Sequence, residues 1–345
     1  MPDLRLYTAG QLHNWLIHNC VIDGLSRRII SPARARAITN NPYIKDEDPV
    51  LSVIFVEGEV AAYTSAFPEM IDGKRYWWFS ALWCDPKYRG NGFGLVVIGN
   101  LAEFYGVEHC LDRWGALETV EIFSYFGLRV RYTSRYTLEC KNNRKSAKGK
   151  LIHFIHSTQE GLHKLLRSNP KEVYSLNYLS HIDDVTYDFI QKHRGNDCFL
   201  HTQEFMNWVL HYPFSISAPL IEHVMPSTSF APSETLYTQL HAIQVLDFDK
   251  LIGFYLLKCK EDVLHILYLY YDSECKNKVF ASIRDHVKKL HVSRCVTENQ
   301  DIASYLKENV FSKQWVTENI SFSYPNTFEP QCEGSMQYGD GDCFA

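Results

Sequence analysis

The sequence lacks several features that would assign it to whole classes of protein. It has no run of about 18 uninterrupted apolar residues, and its first ten residues lack the basic-then-apolar pattern of a secretory leader. We therefore expect a cytoplasmic protein without membrane insertion. Its ten cysteines contain no C-x-x-C pair, which argues against a zinc ribbon. We expect reduced thiols and no metal site.

Charge of one sign is not in large excess either. Forty acidic and 35 basic side chains leave a net charge of −5 at pH 7, which gives no global attraction to nucleic acid or to an anionic membrane. An anionic ligand must then be held by a local site. The basic run at 141–150 has no interleaved aromatic residues, and we interpret it as an exposed loop rather than a nucleic-acid patch.

The chain has 345 residues, of which 46% are hydrophobic, enough for two domains with sizeable cores. Periodicity in the first half predicts helical structure at 11–44, strands at 50–56, 59–67 and 76–84, and a helix at 95–105. The second half predicts helices at 204–211, 279–290 and 302–307, and strands at 240–248, 251–258, 262–271, 294–297 and 321–324. A duplicated α/β (α+β) unit explains this order, although α/β proteins without a duplication can also show a similar repetition of helices and strands.

Three glycines at alternate positions separate the third strand from the following helix. The segment from Asp85 to Gly94 reads D-P-K-Y-R-G-N-G-F-G. Glycine lets the backbone approach a bulky anion, and the amides of a helix N-terminus point toward such an anion. Arginine adds a charge with a geometry that suits phosphate oxygens. The residues expected to bind the anion are Arg89, Gly90, Asn91, Gly92, Phe93, Gly94 and Leu95.

This segment resembles the pyrophosphate-binding motif of the GNAT acyltransferase superfamily, [RQ]-x-x-G-x-[GA], with Arg89, Gly92 and Gly94 at the signature positions. A dinucleotide-binding fingerprint has a different spacing, and a P-loop would need G-K-[ST]. The resemblance covers about residues 1–140 and, more weakly, 200–325. It implies two GNAT-like domains at 1–145 and 146–325, each a mixed, mostly antiparallel sheet flanked by helices, with a tail at 326–345. It also implies acetyl-CoA, or another acyl-CoA, as co-substrate.

The family fold further implies two strands that splay apart to receive the pantetheine arm of the acyl-CoA. In that arrangement the backbone at Trp83 and Cys84 would hold the arm, and one of their amides would polarise the thioester carbonyl. For the two side chains themselves, packing in the core is the expected role. The resemblance implies direct transfer of the acyl group to an amine, with proximity supplying much of the rate.

The residues that would move protons are less well defined. A second family motif, N-x-x-A-x-x-x-Y-x-x-x-G-F, places Ala116, Thr119 and Phe123 where the family has Asn, Ala and the acidic Tyr. Phenylalanine cannot donate a proton, so Tyr125 and Tyr132 are the substitutes considered. A thiolate leaving group needs little help from an acid, since free thiols have a pKa of about 8.5. The candidates for a general base are Glu69, Glu118 and Glu121.

The second half departs further from the family pattern. After Asp272 it reads S-E-C-K-N-K, without the arginine and the glycines, so we expect no CoA to bind there. Asn299–Tyr305 nevertheless resembles the second family motif. The resemblance is then to tandem proteins with one degenerate copy, which would be either a wall of the acceptor pocket or a purely structural part.

Several functions and partners stay open at this point. The first is an N-acyltransferase that acts on a small-molecule amine or amino sugar. The others are an acyl-CoA-binding sensor or scaffold without catalysis, and a transferase of aminoacyl or long acyl groups to a cell-envelope precursor. The protein would be a monomer or a homodimer. The tail motif Asp340-Gly341-Asp342 is either an exposed turn or a segment folded back to line the acceptor cleft.

Overall fold

The structure is a computed structural model that describes residues 1–18, 22, 24–25, 29–113, 115, 117–140, 174–213, 216–217, 234–235, 238–260, 262–290, 292–331 and 334–341. The helices in these ranges are α1 (Ala9–Ile17), α2 (Pro32–Thr39), α3 (Phe93–Tyr105), α4 (Leu117–Tyr125), α5 (Asp184–His193), α6 (Gln203–His211), α7 (Lys276–Leu290) and α8 (Gln300–Asn309). The basic run at 141–150 and the predicted boundary at 145/146 lie outside the described residues.

The strands of the first half are β1 (Asp3–Thr8), β2 (Pro49–Val56), β3 (Glu59–Ile71), β4 (Lys74–Cys84), β5 (Cys110–Arg113) and β6 (Arg129–Glu139). Those of the second half are β7 (Ser175–Leu179), β8 (Ile216–Ser217), β9 (Glu234–Thr235), β10 (Thr238–Asp247), β11 (Lys250–Lys260), β12 (Val263–Tyr271), β13 (Arg294–Thr297) and β14 (Lys313–Tyr324). Strands β8 and β9 form a small parallel pair of their own.

One sheet of twelve strands joins the two halves, in the order β1-β2-β3-β4-β5-β14-β6-β13-β12-β11-β10-β7. From one edge of the sheet inward the order is β1-β2-β3-β4-β5, and from the other edge inward it is β7-β10-β11-β12-β13, so each half contributes five strands in chain order. Among the described strands of this sheet, only the β4–β5 and β12–β13 pairs are parallel. The predicted mixed, mostly antiparallel sheet with flanking helices is therefore confirmed. The last strand of each half lies in the other half's part of the sheet. Strand β14, from the second half, lies beside β5 of the first half, and β6, from the first half, lies beside β13 of the second.

Some predicted elements need correction. The helix predicted at 11–44 is wrong as a single element, because α1 ends at Ile17 and α2 starts anew after Ser31, whose hydroxyl accepts a hydrogen bond from the Arg34 amide. The strand predicted at 321–324 begins at Lys313, because its first half pairs with β6. The sequence pattern also missed β1 and β7, which form the two edges of the sheet.

A shared aromatic core holds the two halves together. Trp78 of β4 lies with its ring centroid 5.2 Å from Phe199, and Phe199 lies 5.6 Å from Phe322 of β14. All three side chains are buried. The indole Nε1 of Trp208 on α6 donates to the carbonyl of Ala37 on α2 at 2.7 Å. The two halves are therefore joined by a shared buried core as well as by the continuous sheet.

Candidate active site

The strands β4 and β5 pair only at their beginnings. Trp77, Trp78 and Phe79 pair with Cys110–Asp112, and beyond Phe79 the two strands separate. A bulge in β4 marks this point, since the register against β3 shifts after Ser80 and Ala81 has a φ of +57°. A bulge of this kind bends a strand and re-aims it. The result is a cleft that opens beside the second half of β4.

Hydroxyl groups on β3 stabilise the bulge. Next to the bulge, the Ser80 carbonyl accepts from the Ser65 hydroxyl at 3.0 Å and from the Thr64 hydroxyl at 3.4 Å. The hydroxyl of Ser80 itself accepts from Arg34 Nη1 at 2.7 Å. Buried backbone groups need such partners, so the serine and threonine side chains make the departure from regular pairing tolerable.

Helix α3 begins at the open end of β4. It starts at Phe93, two residues before the predicted Leu95, and Gly92 is its N-cap with a φ of +75°. Phe93 packs against the same small buried cluster as Leu82 and Cys84 at the end of β4. A Cβ on Gly94 would lie 3.4 Å from Cδ1 of Ile122 on α4. The start of α3 therefore lies between β4 and α4, at the mouth of the cleft.

The amides at this end of α3 have no side-chain cap. The first helical bond runs from the Val96 N–H to the Gly92 carbonyl at 3.1 Å, so the amides of Phe93, Gly94 and Leu95 have no i−4 partner. Five other described helices begin with a side chain that accepts from their first turn, at Thr8, Ser31, Asp183, Thr202 and Asn299. The first turn of α3 also has no acidic residue, which leaves its amides and dipole available to an external anion.

Arg89 and the two exposed glycines complete the turn. Arg89 Nε donates to the Cys84 carbonyl at 3.5 Å, which places its guanidinium beside the end of β4. Gly90 and Gly92 both have positive φ, +86° and +75°, and a Cβ on either would meet no heavy atom within 4 Å. These glycines are thus required by backbone conformation, and the space beside them is open. Asn91 is exposed in the same turn.

Strand alternation sets the direction of the backbone at Trp83 and Cys84. The Asp85 amide donates to the Ala61 carbonyl of β3 at 2.9 Å. Because successive residues of a strand direct their amides to opposite sides, the Cys84 amide points away from β3 and into the cleft. The Trp83 ring stacks on Tyr63 at 5.3 Å, as expected for a packing side chain. Burial raises the pKa of the Cys84 thiol and Arg89 opposes this, so the thiol is protonated at pH 7.

The candidate acids lie on α4 and β6. Phe123, at the position of the family tyrosine, is buried and packs edge-on against Phe79 at 5.3 Å. Tyr125 is exposed at the end of α4, and Tyr132 is about half exposed on β6. Glu118 and Glu121 are exposed on α4. Tyr125 and Tyr132 as acids, and these two glutamates as bases, stay predictions.

Glu69, the remaining candidate base, belongs to a buried polar network. It accepts from Trp78 Nε1 at 2.6 Å and pairs with His201 Nδ1. His201 Nε2 lies 2.9 Å from Asp340 Oδ1 in the tail. All three ionisable side chains are at most 3% exposed. Both oxygens of Glu69 are thus engaged inside the protein, an arrangement that does not favour a role as base.

Residues 336–341 of the tail are folded into the interior, so the interpretation of Asp340 as part of an exposed turn is wrong. Arg113 Nη1 donates to the carbonyls of Gln337 at 2.6 Å and Asp340 at 2.9 Å, and Arg113 Nη2 pairs with Glu298 at 2.5 Å. The guanidinium of Arg113, at the end of β5, thus provides hydrogen-bond donors for carbonyls that need partners once they are buried. Asp342 lies outside the described residues.

His201 makes the stability of this network depend on pH. Burial by itself lowers the pKa of His201, but Glu69 and Asp340 outweigh it and raise the pKa to about 10 from an ordinary 6.5. Because the folded-state pKa is the higher one, the charged imidazole stabilises the fold fully below about pH 6.5. This stabilisation is lost as the pH rises through about 10.

We therefore expect the free energy of unfolding, measured with urea between pH 7.5 and 10, to fall more steeply for the wild type than for His201→Gln. The window lies above the pKa of Asp197, which burial raises to about 7. The variant His13→Gln, at an exposed position of α1, should retain the wild-type slope. Equal slopes for the wild type and His201→Gln would contradict the assignment.

The second half repeats the geometry of the cleft but fills it with the tail. The pairing of β12 with β13 ends at His265 and Val296. Past this point the Gly339 amide donates to the Leu267 carbonyl and the Leu269 amide donates to Gln337 Oε1, both at 2.8 Å. The tail thus takes up the strand edge that stays open in the first half. The missing glycine turn and this tail both argue against CoA binding in the second half.

Comparisons with known proteins agree with this geometry. The chain has an α/β fold with a cleft between two diverging parallel strands. Residues 22–122 match the family described as the Acetyltransferase (GNAT) family, and this part of the chain is a GNAT domain. The resemblance seen in the motif from Asp85 to Gly94 is thereby confirmed. A search of curated proteins finds no match.

Several solved structures are similar to this chain at low sequence identity. A putative acetyltransferase from Pyrococcus horikoshii is 11% identical with a TM-score of 0.51, over 99% of this chain and 92% of that one. A tandem GNAT protein from the clavulanic acid biosynthesis pathway is 9% identical with a TM-score of 0.49, over 94% and 98%. N-myristoyltransferase from Saccharomyces cerevisiae, with bound myristoyl-CoA, is 11% identical with a TM-score of 0.49, over 94% and 82%.

Two further features of the described chain bear on other predictions. Among the described residues, no helix combines the length and apolar character needed to cross a membrane. Within the same ranges no group of three or more His, Cys, Asp or Glu side chains has the arrangement of a metal site.

Proposed function

We propose that the protein is an acyl-CoA-dependent N-acyltransferase, with acetyl-CoA as the first donor to test. The observation that carries the proposal is the uncapped start of α3 beside the diverging end of β4. There the amides of Phe93, Gly94 and Leu95 and the guanidinium of Arg89 can converge on a diphosphate. The site residues proposed on this basis are Trp83, Cys84 and the turn from Arg89 to Leu95.

The chemistry needs little beyond alignment of the reactants. A thioester supplies an activated acyl group and a thiol leaving group of ordinary pKa about 8.5. The Cys84 amide, which points into the cleft, would donate to the thioester oxygen as negative charge develops on it. The acceptor amine would attack directly, and holding it close would supply much of the rate. A proton acceptor for the amine would be water or one of the exposed carboxylates of α4.

The acceptor is proposed to be a small-molecule amine or amino sugar. The second half, whose own cleft is filled by the tail, would then serve as a wall of the acceptor site. A cytoplasmic location and a monomeric or homodimeric state are part of the same proposal.

The binding step is tested by isothermal titration with CoA. Arg89→Glu replaces a guanidinium by a carboxylate that repels the diphosphate, so we expect CoA affinity to fall by more than about tenfold, since hydrogen bonds to charged groups contribute about 1.5–3 kcal/mol. Arg36→Glu, at an exposed position of α2 in the same half, is the matched control and should bind like the wild type. No CoA binding by the wild type would end the proposal.

A second candidate function is acyl-CoA binding without catalysis. It is favoured by Phe123, a buried residue that cannot protonate a thiolate at the position of the family acid. Thiol release from acetyl-CoA, measured with a panel of amines, separates the two functions. Reproducible amine-dependent release excludes a pure sensor. The same assay with longer acyl or aminoacyl donors tests transfer to a cell-envelope precursor, the third function considered.

A further inference from the structure

The tail, which the structure describes over residues 334–341, leads from the second half of the sheet to the first. It is fixed along the second half, where the Cys198 amide donates to the Ser335 carbonyl at 2.7 Å and the Gly339 amide donates to β12 at 2.8 Å. A Cβ on Gly339 would lie 2.5 Å from the Tyr268 ring, so the fit leaves no room for a side chain. The tail therefore reaches the first half from a fixed position.

At its far end the described tail lies against the point where β4 and β5 separate. A Cβ on Gly341 would lie 3.2 Å from Cβ of Arg113, the last residue of β5, and 3.4 Å from Cζ3 of Trp78 on β4. The side chain of Arg113 is fully buried there and donates to two tail carbonyls, those of Gln337 and Asp340. The tail thus contacts both strands of the proposed CoA cleft.

The tail and the helices lie on opposite faces of the sheet at this point. Phe79, the last residue of β4 that pairs with β5, packs against α4. Trp78 precedes it and therefore points to the other face, where Gly341 lies. Arg113 is on that face as well, because it is two residues beyond Leu111, the partner of Trp78. The separation of the two strands is thus supported by α4 from one side and by the tail from the other.

A series of buried polar contacts gives the tail a second connection to β4. Asp340 Oδ1 lies 2.9 Å from His201 Nε2. The other nitrogen of His201 pairs with Glu69, which accepts from Trp78 Nε1 at 2.6 Å. Asp340 Oδ2 accepts from an amide of the tail itself at 2.7 Å, which closes the turn that presents the Asp340 carbonyl to Arg113. Asp340 therefore connects the tail to both strands.

The angle between the two strands determines where the reacting groups lie. Strand edges that have separated tend to pair again, because their amides and carbonyls need partners. Cys84, whose amide points into the cleft, is five residues beyond Phe79, a length of about 16 Å along a strand. A rotation of β4 by about 4° at Phe79 would therefore move that amide by about 1 Å.

We propose that Asp340 and Gly341 are positioning residues for acyl transfer, because they hold β4 and β5 apart behind the cleft and so keep the Cys84 amide directed at the thioester. This inference rests on the proposed function. The tail that fills the cleft of the second half thereby supports the open cleft of the first. A displacement of about 1 Å can lower a rate by about 100-fold, so even a partial loss of this support is measurable.

Steady-state kinetics of Gly341→Ala in the full chain test the proposal, with acetyl-CoA and the amine that the wild type turns over fastest. The added methyl group meets Arg113 and Trp78, so we expect kcat to fall by about tenfold or more. CoA affinity, measured by titration, should stay within about twofold of the wild type, because the proposed diphosphate site is at the start of α3.

Gly58→Ala, in the turn between β2 and β3, is the matched control. Gly58 has a φ of +81°, close to the +78° of Gly341, but a Cβ there would meet no heavy atom within 4 Å. The control carries the same backbone strain without the contact and should keep the wild-type kcat. A role of Gly341 in stability alone would lower the free energy of unfolding and leave kcat unchanged.

Asp340→Asn, with nearly the same side-chain volume, covers the case in which Gly341→Ala does not fold. His201 keeps Glu69 as a partner and Arg113 keeps Glu298, so each of these buried cations retains a carboxylate. The variant lacks the charge that attracts the tail to both cations. We expect kcat to fall severalfold at unchanged CoA affinity. Circular dichroism of each variant verifies folding.

Hydrogen–deuterium exchange of the full chain tests the same support without acyl transfer. In Gly341→Ala the amides of Trp77–Phe79 and Cys110–Arg113 should exchange faster than in the wild type and in Gly58→Ala, while those of α7 should not change. Unchanged kcat in the folded variants, or an equal loss of kcat and CoA affinity, would overturn the positioning role. If the wild type neither binds CoA nor releases thiol, the proposed function fails, and wild-type exchange in Gly341→Ala would then overturn the support by the tail as well.

Discussion

Replacement of Gly92 by valine is expected to weaken CoA binding by about 100-fold or more. Gly92 has a φ of +75°, a conformation that a β-branched residue adopts only with strain. A shift of the turn to relieve that strain would misdirect the amides at the start of α3, and the new side chain would occupy the open space beside them. Loss of about two hydrogen bonds to charged oxygens, at about 1.5–3 kcal/mol each, gives the expected factor.

The chain offers a close control for this substitution. Gly73, in the hairpin turn between β3 and β4, has a φ of +74°, and a Cβ there would likewise meet no heavy atom within 4 Å. Gly73→Val should therefore cost a similar amount of folding stability, without any effect on CoA binding. Titration with CoA and urea unfolding of both variants separate strain from ligand contact. If the two variants bound CoA equally well, the assignment of the turn as the diphosphate site would be wrong.

His201→Ala is expected to have the largest effect on stability, a loss of about 3–5 kcal/mol in the free energy of unfolding. The substitution removes the imidazole that lies between Glu69 and Asp340 and leaves both carboxylates buried without it. Uncompensated buried charge is costly because the interior cannot solvate it. Urea unfolding at pH 7 measures the loss. His13→Ala, at an exposed position of α1, should change stability by less than about 0.5 kcal/mol.

Neutral replacements provide a more specific check of the same idea. If the cost of His201→Ala arises from charge, then adding Glu69→Gln and Asp340→Asn should recover part of the lost stability, because amides are less costly to bury than carboxylates. If it arises only from the cavity left by the imidazole, the triple variant should be no more stable than His201→Ala. That second result would rule out the electrostatic explanation.

Much of the first half was predictable because its signals are local. The apolar runs of β2 to β4 and the two-residue turn at Glu57-Gly58 depend on neighbouring residues alone. The same holds for the turn from Arg89 to Gly94, since positive φ at two glycines and an apolar helix directly after them are properties of a short segment. The start of α3 was missed by two residues, because no capping side chain marks it.

Other parts of the site could not be predicted from the sequence, because they depend on residues that are far apart in it. Glu69 and His201 are 132 positions apart, and His201 and Asp340 are 139 positions apart. None of the three has a local pattern that distinguishes it from a surface residue. The burial of Asp340 follows from the carbonyl contacts of Arg113, which no spacing rule indicates.

The amino-acid sequence by itself thus determined most of the helices and strands, the glycine turn and the family resemblance, since backbone conformation and hydrophobic period act over a few residues. Only the tertiary structure decided that β6 and β14 change places, that the tail fills the second cleft, and that a buried histidine joins the two halves. These features arise when strand edges and charged groups that leave water must find partners, and the available partners lie in the other half of the chain.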